Sequence, residues 1–232
     1  MLDGNGSLAV GKPFVDVGDR KPGSQYYSNV RHEMVPFLPS EFSRVLEVGC
    51  GEGVFAPLLA RPCETWGVEM DPAAAKRAEA RMDRVLVGTF EAVQAGLPEH
   101  YFDLVVCNDV IEHMPDPDAF LTAVKTRMAP QAFLIASIPN MRHWEVLFQL
   151  LVRKDWRYVS EGILDRTHLR FFTERSIFRM FEDAGFQIIR SGGINGVFDP
   201  VRRFTFGALS LVTLGYCNDT QFRQFAVLAR LR

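Results

Sequence analysis

Arg44-Val-Leu-Glu-Val-Gly-Cys-Gly-Glu-Gly53 decides the fold. Val45, Leu46 and Val48 make a short apolar run of the length of a buried strand, and Gly49, Gly51 and Gly53 follow at once, where a sharp turn lets backbone approach a ligand. Phe55, Leu58 and Leu59 then fall on one helical face, so the expected unit is strand, glycine turn and helix, with the helix N-terminus serving a bound group. The spacing separates ligand classes. A dinucleotide fingerprint G-x-G-x-x-G starting at Gly49 needs glycine where the chain has Val54. Glu47, ending the strand, would repel a phosphate and hold an ammonium. The turn therefore fits a cofactor with an amino acid moiety rather than a pyrophosphate.

Composition bounds the rest. The chain has 232 residues, 47% of them hydrophobic, enough to bury one substantial core. Lys+Arg 26 against Asp+Glu 28 gives a formal net charge of -2, so no global basic field draws it to nucleic acid, which is not an expected partner. Cys50, Cys63, Cys107 and Cys217 are widely spaced and form no C-x-x-C pair, which reads as reduced, mostly buried thiols in a cytoplasmic chain with no metal. Met1-Leu-Asp-Gly-Asn-Gly6 has no basic stretch leading into an apolar one, and no run reaches the length of a membrane span, so neither secretion nor a transmembrane segment is expected.

Residues 1–24, rich in Gly, Lys and Asp, read as a flexible arm, and residues 25–232 as a single domain. A leading helix is expected over Gln25 to Leu38. Strands are expected at Arg44 to Val48, Thr65 to Glu69, Val85 to Val87, Phe102 to Asn108, Ala132 to Ile138, Phe186 to Arg190 and Gln224 to Arg230. Between them lie helices, one capped by Asp71-Pro72, one over Asp118 to Met128, and one over Ser176 to Ala184 ended by Gly185. Such alternation specifies an α/β fold with a mostly parallel sheet and helices on both faces. Ligands of such sheets sit beyond the carboxyl ends of the strands. Glu69 stands at one such end, about twenty residues past the turn, where a carboxylate accepts both ribose hydroxyls; the plainer reading is a solvated strand end.

Glu47-Val-Gly-Cys-Gly-Glu-Gly53 resembles the first motif of the class I S-adenosylmethionine-dependent methyltransferases, and Phe102-Asp-Leu-Val-Val-Cys-Asn-Asp-Val-Ile-Glu-His113 resembles their fourth motif with the extension found in small-molecule enzymes. The resemblance implies a Rossmann-like, seven-stranded sheet with its last strand antiparallel, and S-adenosylmethionine as cofactor, leaving as S-adenosylhomocysteine. It places Glu47, Gly49, Gly51 and Gly53 around the cofactor's amino acid, Glu69 on the ribose, and Met70 over the adenine. The usual acid after the third strand is here Thr89, a departure that Glu91 or the backbone at Phe90 would have to make good. Asn108 presents its carbonyl to the ammonium, Val110 lies beside it, and His113 stands near the transferred methyl or else makes a structural hydrogen bond.

Asn140 to Thr173 is longer than a simple crossover and carries Trp144, Trp156 and Tyr158, the make-up of an ordered substrate lid. Within it, Asp165-Arg-Thr-His-Leu-Arg-Phe-Phe-Thr173 resembles a signature of methyltransferases in sugar and cell-envelope glycan pathways, and Tyr26, Tyr27 and Arg31 fit the same group. On that resemblance His168 is the base, while Arg170, Arg31 and Tyr27 bind an anionic or polyhydroxyl acceptor. The alternative is an ion-pair network of Asp165, Arg166 and Arg170 with His168 as a satisfied partner. The expected activity is O-methylation of a sugar or glycan-linked small molecule by a monomer or homodimer, with N-methylation of an amino sugar and a non-catalytic S-adenosylmethionine-binding module as alternatives. A nicotinamide-dependent oxidoreductase would share the sheet but is opposed by Val54 and Glu47. The apolar run Phe204 to Tyr216 reads as a core helix, a dimer contact, or a docking element for a membrane or partner.

Overall fold

The computed structural model describes residues 30–196 and 200–232, and their side chains except at 200–204 and 209. The expected arm and Tyr27 lie outside the described residues. Seven strands form: β1 (Arg44–Val48), β2 (Glu64–Glu69), β3 (Arg84–Val87), β4 (Phe102–Asn108), β5 (Met128–Pro139), β6 (Phe186–Gly196) and β7 (Phe222–Leu231). They make one sheet in the order β3-β2-β1-β4-β5-β7-β6. Neighbours from β3 to β5 pair in parallel, and β7 runs antiparallel between β5 and β6, as the sequence led us to expect. The order reverses between β1 and β4, which opens a crevice at their carboxyl ends.

Helices α1 (Pro72–Ala78), α2 (Phe90–Val93), α3 (Pro117–Arg127), α4 (Trp144–Leu151), α5 (Glu174–Asp183) and α6 (Pro200–Val212) connect the strands. Local chemistry fixes several starts: Asp71 accepts from Ala74 N at 2.7 Å, Asp116 from Ala119 N at 3.0 Å, and Thr173 with Ser176 forms a capping box. One sheet face, carrying Leu46, Val105 and Leu134, packs against Phe90, Phe120, Leu121, Ile177 and Phe181 of α2, α3 and α5. The other, carrying Val45, Leu104, Val106 and Ile135, is covered by Met34, Phe55 and Leu59 from short 3-10 segments. Helix α1 lies over the same second face, since a Cβ at Gly67 would meet Cys50 and Met82.

Three expectations are corrected. The helix after the glycine turn is a single 3-10 turn, Ala56–Leu59, ended by Ala60 at φ 53; Pro62 denies further helix to the residue before it. Phe55 and Leu59 are nonetheless buried. The described part of the leading helix is likewise a 3-10 segment, His32–Phe37, because Pro36 lies inside it and cannot donate an α-helical hydrogen bond. Finally, α6 shows Leu211 and Val212 80% and 82% exposed, so its apolar end is not the core helix. Strand β6 also continues past Arg190 through Gly192 and Gly193, where the ring of Phe222 occupies the space a side chain would take, 2.1 Å from a Cβ at Gly193. Among the described residues no helix is long and apolar enough to cross a membrane.

Phe181 is fully buried, edge-on to Phe186 with ring centroids 5.8 Å apart, and joins α5 to β6. Phe181→Ala should lower unfolding free energy by about 3–5 kcal/mol, read as a lower denaturation midpoint with an unchanged slope.

Candidate active site

The glycine turn at the end of β1 holds Gly49, Gly51 and Gly53 at φ 68, 55 and 70, a region that side-chain-bearing residues rarely adopt. A Cβ at Gly49 would also lie 2.8 Å from Val110, which closes the turn from the end of β4. The turn is tied to β2 by three hydrogen bonds: Gly49 N and Cys50 N donate to Val68 O at 2.8 and 3.2 Å, and Gly51 N donates to Glu69 Oε2 at 2.9 Å. Asp71 N donates to the other Glu69 oxygen at 2.8 Å. Glu69 is thus buried and oriented rather than a solvated strand end, and each of its oxygens keeps a second lone-pair direction. Glu47, one strand away, is buried at 5% exposure, and burial followed by the charge of Glu69 pushes its carboxyl up to about 8.

Asn108 tests whether these residues fit an S-adenosyl cofactor. Its side chain points to the same sheet face as Glu47, since Leu104 and Val106 alternate onto that face, and both its amide oxygen and nitrogen are buried with no hydrogen-bond partner among the described residues. A buried amide left unpaired is costly, and a ligand's amino acid group would supply the missing partners. Met70 is 52% exposed at the rim, free to cover an adenine ring. Thr89 caps α2, accepting from Ala92 N at 3.4 Å, and the Phe90 ring is in the core 5.3 Å from Phe120, so only backbone at Phe90 is offered at the end of β3. The residues present fit the cofactor.

Beyond Asn108 the chain makes a 3-10 turn, Ile111–His113, and meets the 163–170 segment of the insertion. Leu169 N and Arg170 N donate to Glu112 O at 2.9 and 3.0 Å. His113 and His168 stack edge to face, centroids 4.8 Å apart. Nδ1 of His113 is 3.1 Å from Thr167 O and Nδ1 of His168 is 3.0 Å from Ile163 O. A carbonyl oxygen only accepts, so each Nδ1 carries hydrogen and Nε2 is the basic nitrogen of each neutral ring. His168 Nε2 lies 3.9 Å from Glu112 Oε1, and neither Glu112 oxygen, both buried, has a hydrogen bond. Burial and then Asp109 hold the Glu112 carboxyl well above its usual range. Glu112, His113 and His168 bring their ligand atoms within 4.8 Å of one another, a group that can hold a metal ion.

The other acceptor-side residues scatter. Among the described residues Asp165 pairs with no arginine; its Oδ1 accepts from Thr167 N and Oγ1, each at 2.7 Å, so the alternative reading of an Asp165 ion-pair network does not hold there. Arg170 donates to Pro115 O, and to Leu169 O at 3.2 Å. Arg31 is buried and bonded to Asp109, Ser137 and Gln224. Glu112, Asp109, Ser137 and Gln224 were not singled out from sequence. The available signal was polarity inside apolar runs: Ser137 interrupts Ala132 to Ile138, and Glu112 follows Val110-Ile111.

Between about pH 4.5 and about 8 the folded chain holds a proton on Glu47 that the unfolded chain releases, so stability falls as pH rises through that window. Glu47→Gln should flatten this loss, seen as a wild-type melting temperature that declines more steeply than the variant's over the same window.

The family model described as a methyltransferase domain matches residues 21–191. The chain is 29% identical over 180 residues to a ubiquinone biosynthesis O-methyltransferase of Cereibacter sphaeroides, covering 71% of this chain and 67% of that protein. It is 26% identical over 187 residues to the protein of the same name from Vibrio atlanticus, covering 77% and 76%. In fold it is similar to a SAM-dependent methyltransferase from Archaeoglobus fulgidus, with TM-score 0.61 and 18% identity over 89% of this chain and 96% of that one. The chain belongs to the methyltransferase-domain family and is a class I enzyme that uses S-adenosylmethionine.

Proposed function

We propose that the enzyme methylates a hydroxyl oxygen of a small-molecule acceptor, with His113 as the proton acceptor. The observation that carries this reading is the imidazole of His113 at the carboxyl end of β4, its Nδ1 fixed by Thr167 O so that Nε2 is the basic atom. Bound S-adenosylmethionine supplies a methyl group on a sulfonium, which needs little from the protein beyond alignment with the attacking oxygen. Asn108 and the 49–53 turn would hold the amino acid end, Glu69 the ribose and Met70 the adenine. The 140–173 insertion would act as a lid, latched to the site where Leu169 and Arg170 bond Glu112 O. Its aromatic cluster, with Trp156 and Phe171 rings 5.5 Å apart, gives that lid an ordered apolar wall.

His168 suits a supporting role better than the role of base. It is 9% exposed, with Nδ1 on Ile163 O and Nε2 toward Glu112, whereas His113 is half-buried. The relatives' names make intermediates of quinone biosynthesis the first acceptors to assay, and they lend no support to a sugar or glycan-linked acceptor, which rests on the sequence resemblance alone. A second reading has its own observation: the convergence of Glu112, His113 and His168 would let a divalent cation bind and lower the acceptor hydroxyl's pKa.

Glu69→Ala should weaken S-adenosylhomocysteine binding by about 1–3 kcal/mol in calorimetry; unchanged affinity would remove Glu69 from the site. His113→Ala should lower kcat by about 100-fold with cofactor affinity preserved, and His168→Ala should cost less. Reversed ranking would move the base to His168. Loss of activity on chelation, restored by a divalent metal, would select the second reading.

A further inference from the structure

We propose that Arg31 is a positioning residue whose guanidinium clasps Asp109 and thereby sets the Asn108 carboxamide for the cofactor. This rests on the reading of Asn108 as a cofactor ligand. Asp109 is the residue after Asn108 and sits at φ 54, a left-handed conformation that aspartate enters more readily than most side-chain-bearing residues and that its hydrogen bonds here hold in place. Its backbone is held by N–H donation to Ser137 O at 3.2 Å and to Ser137 Oγ at 3.1 Å. Its Oδ1 accepts from Ser137 Oγ at 3.0 Å and from Gln224 Nε2 at 2.5 Å, and its Oδ2 accepts from Arg31.

Arg31 gathers the same partners from the opposite side. It donates to Ser137 Oγ at 3.0 Å and Gln224 Oε1 at 3.1 Å, and Glu33 lies 2.8 Å from its Nε. The clasp therefore joins the segment before the first 3-10 turn to the end of β4, to β5 and to β7 at one point beyond the carboxyl ends of the central strands. Among the described residues Asn108 has no partner for either side-chain amide atom, so its orientation follows from the backbone that Asp109 fixes. Without Arg31, Asp109 keeps a charge in a half-buried pocket with neutral partners only, and the left-handed turn loses its strongest tie. Both terminal nitrogens of the buried guanidinium are bonded within the protein, to Asp109, Ser137 and Gln224, which opposes the acceptor-binding role expected from sequence.

The test reads S-adenosylhomocysteine affinity by calorimetry on the full chain. Arg31→Met should raise Kd about ten-fold or more, and the double variant Arg31→Met with Asp109→Asn should return it to within about three-fold of wild type, because asparagine tolerates the left-handed turn and carries no charge to compensate. A merely structural Arg31 would not show that charge-specific rescue. The proposal is overturned if Arg31→Met binds like wild type while the acceptor KM rises, or if the double variant stays as weak as the single. Should Arg31→Met fail to fold, the double variant alone decides, near-normal affinity supporting the clasp and weak affinity overturning it. Asn108→Ala is the control: unchanged affinity there sinks the underlying site reading, whereas weakened affinity beside a normal Arg31→Met sinks only the clasp.

Discussion

Two carboxylates, Glu47 and Glu69, are buried beneath one glycine turn, and the site depends on how each is kept there. Glu69 is satisfied by the backbone N–H groups of Gly51 and Asp71, so it doubles as the clamp that shapes the turn. Glu47 is held up to about 8 by burial and by that neighbour, which leaves it neutral at neutral pH. A cation arriving at the turn would relieve the arrangement by giving Glu47 a charge to pair with. The parallel register of β1 and β2 imposes this geometry, since Glu47 pairs with Gly67 and the chain must turn at once past Val48, the partner of Val68.

The sheet was legible because its strands are short apolar runs bounded by turn residues. Val45 to Val48 and Leu104 to Cys107 are buried on both faces and read as such. Reversal of β7 came from the family resemblance, and its pairing with β5 and β6 bears it out. Helix extent was less legible where proline decides locally, as at Pro36 and Pro62, because hydrophobic periodicity says which face is buried and not whether the hydrogen-bond ladder continues.

The residues proposed for the cofactor were readable from local sequence, since one turn and the adjoining strand ends carry nearly all of them. The acceptor side was not. His113 and His168 are 55 positions apart in the chain, and their contact exists only because the insertion folds back onto Glu112. Arg31, Asp109, Ser137 and Gln224 converge from four separate segments, so spacing carried no trace of their association. A lone arginine beside paired tyrosines reads as a ligand anchor, and only the fold shows it paired with an aspartate.

The central claim is that the turn receives a cationic amino acid group beside a protonated, buried Glu47. Calorimetric titration of the wild-type chain with S-adenosylhomocysteine near pH 7, in two buffers of different ionisation enthalpy, tests it directly. The account predicts one-to-one binding with release of close to one proton, so that the apparent enthalpy shifts with the buffer. Absence of binding, or binding whose enthalpy is the same in both buffers, would contradict it.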